Sequence, residues 1–401
     1  MRRTTRTAGR GAVCLIALAI MATGCRGGDP TVPPGGPPAP ETTTPAPPPP
    51  PPPPPPETVT PPPATETVTA ATVVATGLAA PWGIAFLPDG TALVSERDTG
   101  RLVCVDATGN VVEMGQLEAE GSNEGGLLGV AVSPTFATDS LAYAYLTTAT
   151  DNRVVRFTLG GTDEPEVILE GIPAAGVHNG GRIAFGPDGN LYIGTGDAND
   201  AALAQDPASL GGKILRVAAD GGVPADNPTP GSPVYSLGHR NVQGLTWNAA
   251  GQLFATELGQ NTFDEVNLIT PGGNHGWPTV EGEGSVEGFI DPVATFDPAE
   301  ASPSGATFLT GGAIPEWEGD LFVAALRGQR LSRLGFGADG AVTEEEALLE
   351  GEFGRLRSAA QAPDGSLWLL TSNLDGRGQD LADGLGDRVV RLGPAAAPVA
   401  P

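Results

Sequence analysis

The sequence predicts an all-β fold, a six-bladed β-propeller with four-stranded blades. No long stretch has helical periodicity, and short β-branched or aromatic runs alternate with Gly-rich turns. A strand–turn–strand unit recurs about six times, near residues 80–105, 126–159, 179–217, 235–270, 304–336 and 356–392. A spacing of roughly 35–60 residues is typical of propeller blades rather than of short solenoid repeats. A β-sandwich and two smaller barrels are the alternatives, and the recurrence of one unit along the whole segment argues against both.

Four of the units carry a tight turn between two apolar strands. Pro-Asp-Gly fills this turn at Pro88–Gly90, Pro187–Gly189 and Pro363–Gly365, and a degenerate copy ends at Gly251. Asp-Gly between such strands predicts a hairpin, because glycine accepts the positive φ that the turn needs. Many units end in a further strand with an Arg-apolar pattern, as in Arg153–Phe157.

The amino terminus predicts an export signal. Residues 1–25 begin with a segment that has four arginines and no acid, followed by an apolar run over Ala12–Ala22. That run is too short for a permanent transmembrane helix, which needs about 20 residues. The small residues before Cys25 indicate a lipoprotein signal, in which this cysteine becomes lipidated, and an ordinary secretion signal is the alternative. We therefore expect a protein on the extracellular face of the bacterial cell membrane, or a secreted one, with membrane contact only through the anchor.

Residues 26–70 predict a disordered linker, and residues 71–395 predict the folded domain. Pro47–Pro56 is an unbroken proline run. Proline has no N–H and a fixed φ, so this segment is expected to be extended polyproline II rather than part of a helix or sheet. Whether the linker acts as a spacer is left open by its composition.

The chain is strongly acidic, with a formal net charge of −26. Loss of residues 1–25 with their four arginines leaves −30. Such a surface argues against nucleic acid as a partner and is compatible with a neutral or cationic small substrate. An anionic cofactor would require a local basic cluster. Only Cys104 of the three cysteines falls in the domain, so no disulfide can form within it, and its apolar neighbours predict a buried structural thiol.

The three histidines of the chain all fall in loops rich in glycine and asparagine. They are His178, His239 and His275, in the motifs HNGGRIAFGPDGNLYIGTGD (178–197), GHRNVQG (238–244) and DEVNLITPGGNHGW (264–277). Histidine titrates near neutral pH, which suits a general base, and neighbouring glycines allow a close approach to a ligand. By themselves, three loop histidines are equally compatible with ordinary surface residues.

These motifs, in this order, resemble those of the glucose/sorbosone dehydrogenase family, which includes soluble quinoprotein glucose and aldose sugar dehydrogenases. The resemblance extends over about residues 74–392, with supporting segments PWGIAF (81–86), EGGLLG (124–129), LRGQR (326–330) and GRLR (354–357). It implies a six-bladed propeller that binds pyrroloquinoline quinone (PQQ) and calcium. The implied reaction oxidises an aldose at the anomeric carbon to a lactone, with PQQ as hydride acceptor and an external acceptor for the electrons.

The resemblance also implies roles for individual residues. His178 matches the catalytic base, and Asp197 matches a carboxylate that pairs with it or orients the site. The residues that match the PQQ site are Arg240, Asn241, Arg327, Arg355 and Arg357. Guanidinium groups pair bidentately with carboxylates and quinone oxygens, so these arginines would supply the basic cluster that an anionic cofactor needs.

Calcium ligation is implied for a second group of residues. Gly259 and Gln260 match the loop whose carbonyl groups hold the cofactor's calcium. Asp264 and Glu265 match a further, structural calcium site. Carbonyl and carboxylate oxygens are the donors that calcium prefers.

Four positions depart from the glucose enzymes of the family. The departures are Val177 for an acidic residue, Glu124 and Leu258 for glutamines, and Gln260 for a proline. They leave the base and the arginines in place and fit the broader aldose dehydrogenase branch better. Two other functions are compatible with a propeller, a non-catalytic domain that binds a sugar or a cell-surface partner, and a calcium-dependent lactonase. The retained base argues against the first, and a lactonase has no use for four arginines.

Overall fold

The computed structural model describes residues 69–121 and 123–394. In this part of the chain, 24 strands form six four-stranded sheets, each a blade of a β-propeller. The predicted all-β class and the six blades of four strands are therefore confirmed. The predicted signal peptide, the linker up to residue 68 and Cys25 lie outside the described residues.

Five of the blades are built from consecutive antiparallel strands. Blade 1 contains β2 (Pro81–Phe86), β3 (Ala92–Glu96), β4 (Arg101–Val105) and β5 (Val111–Gln116). Blade 2 contains β6 (Leu127–Val132), β7 (Leu141–Thr147), β8 (Asn152–Thr158) and β9 (Glu166–Ile172). Blade 3 contains β10 (Ile183–Phe185), β11 (Leu191–Gly194), β12 (Lys213–Val217) and β13 (Val234–Leu237). Blade 4 contains β14 (Val242–Trp247), β15 (Leu253–Glu257), β16 (Asp264–Leu268) and β17 (Ala294–Phe296), and blade 5 contains β18 (Pro303–Phe308), β19 (Leu321–Ala325), β20 (Arg330–Phe336) and β21 (Val342–Leu348).

The sixth blade joins the two ends of the described chain. Its strands β22 (Leu356–Gln361), β23 (Leu367–Thr371) and β24 (Asp387–Pro394) are consecutive, and β1 (Thr69–Leu78) is its fourth strand. β1 pairs antiparallel with β24, with Leu78 opposite Asp387 and Thr72 opposite Arg391. The amino-terminal strand thus closes the ring, and it begins two residues before the domain start at 71 that the sequence predicts.

The core consists of six hydrophobic clusters, one between each pair of neighbouring blades. Between blades 2 and 3, for example, the buried Tyr143 packs with Ile183 and Leu215. Between blades 6 and 1, Trp368 and Val389 pack with Val94. Both faces of each blade are therefore covered by neighbouring sheets, which explains why many strands read as continuous apolar runs instead of strict alternation.

The Pro-Asp-Gly turns form hairpins, as predicted. Gly90 has φ +88°, a left-handed conformation that favours glycine, and its N–H donates to the carbonyl of Leu87. The Asp89 carboxylate accepts the Thr91 backbone N–H at 2.9 Å, which fixes the turn locally. These turns join the first and second strands of blades 1, 3 and 6 at one end of the propeller, which we call the hairpin face.

In the part of the chain that the structure describes, regular helix is confined to short pieces between strands. They are α1 (Phe136–Asp139), α2 (Ala202–Gln205) and a 3₁₀ turn at Pro315–Trp317. Within residues 69–121 and 123–394, none of these is long and apolar enough to span a membrane.

Candidate functional site

A pocket lies at the end of the propeller opposite the hairpin face. Here the first strand of each blade begins and the second strand ends. The lining residues come from all six blades or from the loops that enter them: Trp82, Arg97, Glu124, Asn179, Gly180, Asn241, Gln243, Leu258, Leu326, Arg355, Arg357, Asp375 and Arg377. Polar side chains distant in sequence therefore converge on the end of the central channel, as is usual for ligand sites on a rigid scaffold.

His178 and Asp197 meet at this end of blade 3. His178 precedes β10 and Asp197 follows β11, so the two residues stand at the open end of one hairpin. The His178 Nδ1 and the Asp197 Oδ1 are 2.7 Å apart. The His178 side chain is 13% exposed, whereas that of Asp197 is only 2% exposed. An aspartate that holds one ring nitrogen leaves the other, Nε2, available to a substrate.

Asp197 is ionised and fixed by several donors. Burial opposes the charged form of Asp197. The hydrogen bonds with His178, the Trp277 indole and the Asn199 backbone together outweigh this effect, so the pKa of Asp197 is lowered. The Trp277 Nε1–H donates to Asp197 Oδ2 at 2.9 Å. Both carboxylate oxygens are thus engaged, which holds the imidazole of His178 in one orientation.

The backbone of His178 is held in an unusual conformation. Its φ is +59°, in the left-handed region that non-glycine residues rarely adopt. Its N–H donates to Glu124 Oε2 at 2.8 Å, and its carbonyl accepts the Ala198 N–H at 3.1 Å. Two tethers therefore offset the cost of this conformation and fix the position of the side chain.

Arg355 and Arg357 form a cationic wall on blade 6. Both donate to Asp375 Oδ2, at 2.9 Å from Arg355 Nη2 and 3.4 Å from Arg357 Nη2. Burial opposes the charge of Asp375, but the two guanidinium groups lower its pKa to about 2. Burial lowers the pKa of Arg357 to about 10, which leaves it charged at neutral pH. Two cations share one carboxylate, so this wall keeps an excess of positive charge.

Arg240 and Asn241 approach from blade 4. The Arg240 Nη1 donates to the Leu258 carbonyl at 3.0 Å, and its guanidinium lies 5.4 Å from the centre of the Trp277 ring. The Asn241 side chain is buried and accepts the Gly180 N–H at 3.0 Å. Two buried guanidinium atoms at this site, Arg240 Nε and Arg357 Nε, have no hydrogen-bond partner among the described residues. They are donors that a bound anion can use.

Arg327 is placed differently from the other predicted arginines. It follows β19 and is exposed, beside Leu326, which lines the pocket. It is not one of the lining residues. The structure therefore brings together Asn241, Arg355 and Arg357 as pocket lining, whereas Arg240 and Arg327 are not among the lining residues.

The four residues that resemble calcium ligands lie together on blade 4. Asp264 accepts the N–H groups of Gly259 and Ser302 at 2.9 and 2.8 Å. Glu265 points to the other face of β16 and accepts the Gly282 N–H at 2.6 Å. Burial raises the pKa of Asp264 to about 6 and that of Glu265 to about 7. Across residues 69–121 and 123–394, no group of three or more His, Cys, Asp or Glu side chains is arranged to hold a metal ion.

The other two histidines are structural. His239 is buried, with Nδ1 2.8 Å from Glu257 and Nε2 2.8 Å from Ser236. His275 stacks on it with ring centres 4.8 Å apart. Burial lowers the pKa of His239 to about 3, so it stays neutral. None of the three histidines is itself a lining residue of the pocket, and His178 is the one whose neighbour in the chain, Asn179, lines it.

Three pocket residues lie outside every motif of the sequence analysis: Arg97, Asp375 and Arg377. Arg97 directly follows β3, and Asp375 follows β23 by four residues. Asp197 and Leu258 occupy the corresponding places after β11 and β15. A search of the residues just after the second strand of every repeated unit would have found the first two. Arg377 lies deeper in a loop, and no repeat marks it.

Comparison with known proteins agrees with this geometry. Residues 78–382 match the family model described as glucose/sorbosone dehydrogenase. The PQQ-bound form of an aldose sugar dehydrogenase from Streptomyces coelicolor is 49% identical, with a TM-score of 0.76 over 82% of this chain and 98% of that one. An apo-form soluble aldose sugar dehydrogenase from Escherichia coli is 27% identical, with a TM-score of 0.73 over 81% and 99% of the two chains. Quinoprotein glucose dehydrogenase B of Acinetobacter calcoaceticus is 31% identical, over 64% of this chain and 63% of that protein.

The family model covers most of the propeller, from the end of β1 to the loop before β24. The order of the motifs, the six blades and the arginine-lined pocket beside His178 all agree with it. The chain belongs to the glucose/sorbosone dehydrogenase family.

Proposed function

We propose that the protein is a PQQ-dependent sugar dehydrogenase that oxidises an aldose at the anomeric carbon to a lactone. Membership of the family and the PQQ-bound relative at 49% identity support this activity. The observation that carries the proposal is the 2.7 Å contact of His178 with a buried, ionised Asp197 beside a pocket lined by arginines. A base and an anion-binding wall on one pocket are what this oxidation needs.

The residues at the pocket fit a cofactor with several carboxylates. Arg355 and Arg357 have one shared carboxylate between them, and the Nε atoms of Arg240 and Arg357 are buried without a partner. These three arginines and Asn241 would hold PQQ, with Arg327 adding positive charge at the rim. When bound, PQQ supplies the acceptor for hydride from the sugar. The acidic surface of the chain makes this local cationic cluster the place where an anion can bind.

His178 would take the proton from the anomeric hydroxyl of the sugar at Nε2. Its Nδ1 is held by Asp197, which fixes the tautomer and stabilises the imidazolium that forms when the proton arrives. Trp277 keeps Asp197 in place from the opposite side. General-base catalysis by a group positioned in this way contributes roughly 10²–10⁴-fold to a rate.

We also propose calcium as a second cofactor. The carbonyl groups of Gly259 and Gln260 and the carboxylates of Asp264 and Glu265 are the oxygen donors it prefers. The resemblance gives Asp264 and Glu265 to a structural calcium site separate from that of the cofactor, and the two side chains extend from opposite faces of β16. Calcium beside PQQ would act as a Lewis acid.

The location and the final electron acceptor complete the proposal. We propose that Cys25 is lipidated after export, so that residues 26–68 tether the propeller to the extracellular face of the membrane, and that an external acceptor removes the electrons. Metabolic labelling with a clickable fatty acid tests the anchor. Label on the wild-type chain and none on Cys25→Ser is the expected result, and equal labelling of both would contradict it.

The activity is tested on the protein reconstituted with PQQ and calcium. Reduction of a redox dye is followed with a panel of aldoses, and PQQ binding is measured separately by its absorbance change. We expect turnover that requires PQQ, and a His178→Ala variant that binds PQQ but is inactive. A wild-type protein that fails to bind PQQ, or equal turnover by the variant, would contradict the assignment.

A further inference from the structure

Glu124 links two loops at the rim of the pocket. It lies between β5 and β6, and its side chain is 20% exposed. Its Oε2 accepts the His178 backbone N–H at 2.8 Å. Its Oε1 is 2.6 Å from Nη2 of Arg377. One carboxylate therefore contacts the loop that carries the catalytic histidine and the loop between β23 and β24.

The contact to His178 acts on a strained part of the backbone. A non-glycine residue at φ +59° is strained relative to an ordinary backbone conformation. Such a residue persists only where its surroundings hold it. The charge-assisted hydrogen bond from its N–H to Glu124 is one of two backbone tethers, and the bond from Ala198 to its carbonyl is the other.

The contact to Arg377 continues to the cationic wall. The Arg377 backbone N–H donates to Asp375 Oδ1 at 2.9 Å, while Asp375 Oδ2 accepts from Arg355 and Arg357. Contacts thus run without a break from His178 through Glu124, Arg377 and Asp375 to the two arginines. The Arg377 side chain is 56% exposed, so its ion pair alone contributes little to stability.

We propose that Glu124 is a positioning residue that holds His178 in its productive conformation, and that Arg377 orients Glu124 for this purpose. The expected effect on kcat rests on the proposed function, whereas the hydrogen bond between Glu124 and the His178 backbone does not depend on catalysis. Without the carboxylate, the His178 backbone is free to leave the left-handed region, and Nε2 moves away from the anomeric hydroxyl. A displacement of about 1 Å at a reacting group costs up to roughly 100-fold in rate.

Three variants test the roles of Glu124 and Arg377 separately. Glu124→Ala removes the acceptor, Glu124→Gln keeps an amide oxygen for the His178 N–H, and Arg377→Ala removes only the cation. We expect kcat to fall roughly 10- to 100-fold in Glu124→Ala with KM for the sugar changed less than about 3-fold. Glu124→Gln should keep kcat within about 3-fold of wild type, and Arg377→Ala should fall between the two.

The matched control is another arginine–carboxylate ion pair, which lies far from the pocket. Arg391 Nη2 and Asp364 are 2.9 Å apart near the hairpin face. Arg391→Ala should leave kcat and KM unchanged. In the double variant Glu124→Ala/Arg377→Ala, loss of the arginine should cost nothing further, because its effect passes through the carboxylate.

A readout without catalysis tests the tether directly. Hydrogen–deuterium exchange of the peptide spanning 174–182 is measured in the PQQ-free protein. Faster exchange in Glu124→Ala, with wild-type exchange in Glu124→Gln, is the expected result. Unchanged exchange in Glu124→Ala, or a Glu124→Gln variant as impaired as Glu124→Ala, would overturn the proposal. Failure of the wild type to oxidise any sugar would instead refute the proposed function. The exchange result alone would then decide whether Glu124 holds the His178 backbone.

Discussion

The Nδ1 atom of His178 lies 2.7 Å from Oδ1 of Asp197, and the two residues stand at the two ends of one hairpin. β10 and β11 bring them together with only 18 residues between them in the chain. Two groups from other blades hold this pair in place. Glu124, which precedes β6 of blade 2, binds the backbone N–H of His178, and Trp277, from the β16–β17 loop of blade 4, donates to Asp197. A base on a short, rigid hairpin needs little reorganisation before reaction.

Replacement of the aspartate should slow turnover without loss of cofactor. Asp197→Asn keeps the volume but removes the charge that stabilises the protonated imidazole and selects its tautomer. We expect kcat to fall by roughly 10²–10⁴-fold, with PQQ affinity within about 3-fold of wild type. Steady-state dye reduction and PQQ titration measure the two quantities. Asp89→Asn, in a turn on the hairpin face, is the control, and a kcat for Asp197→Asn near the wild-type value would rule out this role.

The arginines should differ in their effect on cofactor binding. Arg355 lines the pocket and shares the carboxylate of Asp375 with Arg357. Arg327 is exposed and does not line the pocket. Hydrogen bonds to charged groups are worth about 1.5–3 kcal/mol, so Arg355→Gln should weaken PQQ binding by roughly 10- to 150-fold. Arg327→Gln should weaken it by less than about 5-fold and more strongly at low salt. Equal losses from the two variants, measured by titration, would show that Arg327 binds PQQ directly.

Asp375 should make stability depend on pH in acid. Its pKa is about 2 in the folded protein against an ordinary 3.8. A lowered pKa stabilises the fold above the unfolded value, by about 2 kcal/mol here, and this contribution is lost as the pH falls from about 4 towards 2. The difference in free energy of unfolding between wild type and Asp375→Asn should therefore narrow between pH 5 and pH 3, as measured with urea. A gap that stays constant or widens over this range would contradict the assignment.

Cys104 should be inert in the folded protein. It is buried among apolar side chains, and burial, with a smaller effect of Asp89, raises its pKa to about 11. The thiolate is the reactive form, so little of it exists at pH 8. In a chain that starts at residue 69, a thiol reagent should react fully only after unfolding in urea. Rapid labelling of the native protein would contradict this prediction and show that β4, which carries Cys104, opens in the folded state.

The fold was predictable because its main signals are local. Pro88–Gly90 and Pro363–Gly365 mark hairpins whatever else surrounds them, and their recurrence counts the blades. No sequence signal showed that β1 is the outermost strand of blade 6. That position depends on pairing with β24, which lies more than 300 residues later in the chain. No periodicity within the chain reports such a contact.

The site was predictable only in part for the same reason. His178 and Asp197 share one motif, and Arg355 and Arg357 share another, GRLR (354–357). The places of Arg97, Asp375 and Arg377 at the pocket follow from their convergence in space, which no single motif records. The resemblance to the family supplied Arg240 and Asn241, whereas it did not indicate that Asp264 and Glu265 point to opposite faces of β16.

The central claim is oxidation of a sugar at its anomeric carbon, and a single-turnover experiment tests it most directly. The protein reconstituted with PQQ and calcium is mixed anaerobically with an aldose deuterated at that carbon, without an external acceptor, and the lactone is quantified by mass spectrometry. We predict about one lactone per bound PQQ, with the deuterium lost from the sugar, and none from His178→Ala. A protein that binds PQQ and yields no lactone from any aldose, or a product that keeps the deuterium, would contradict the account.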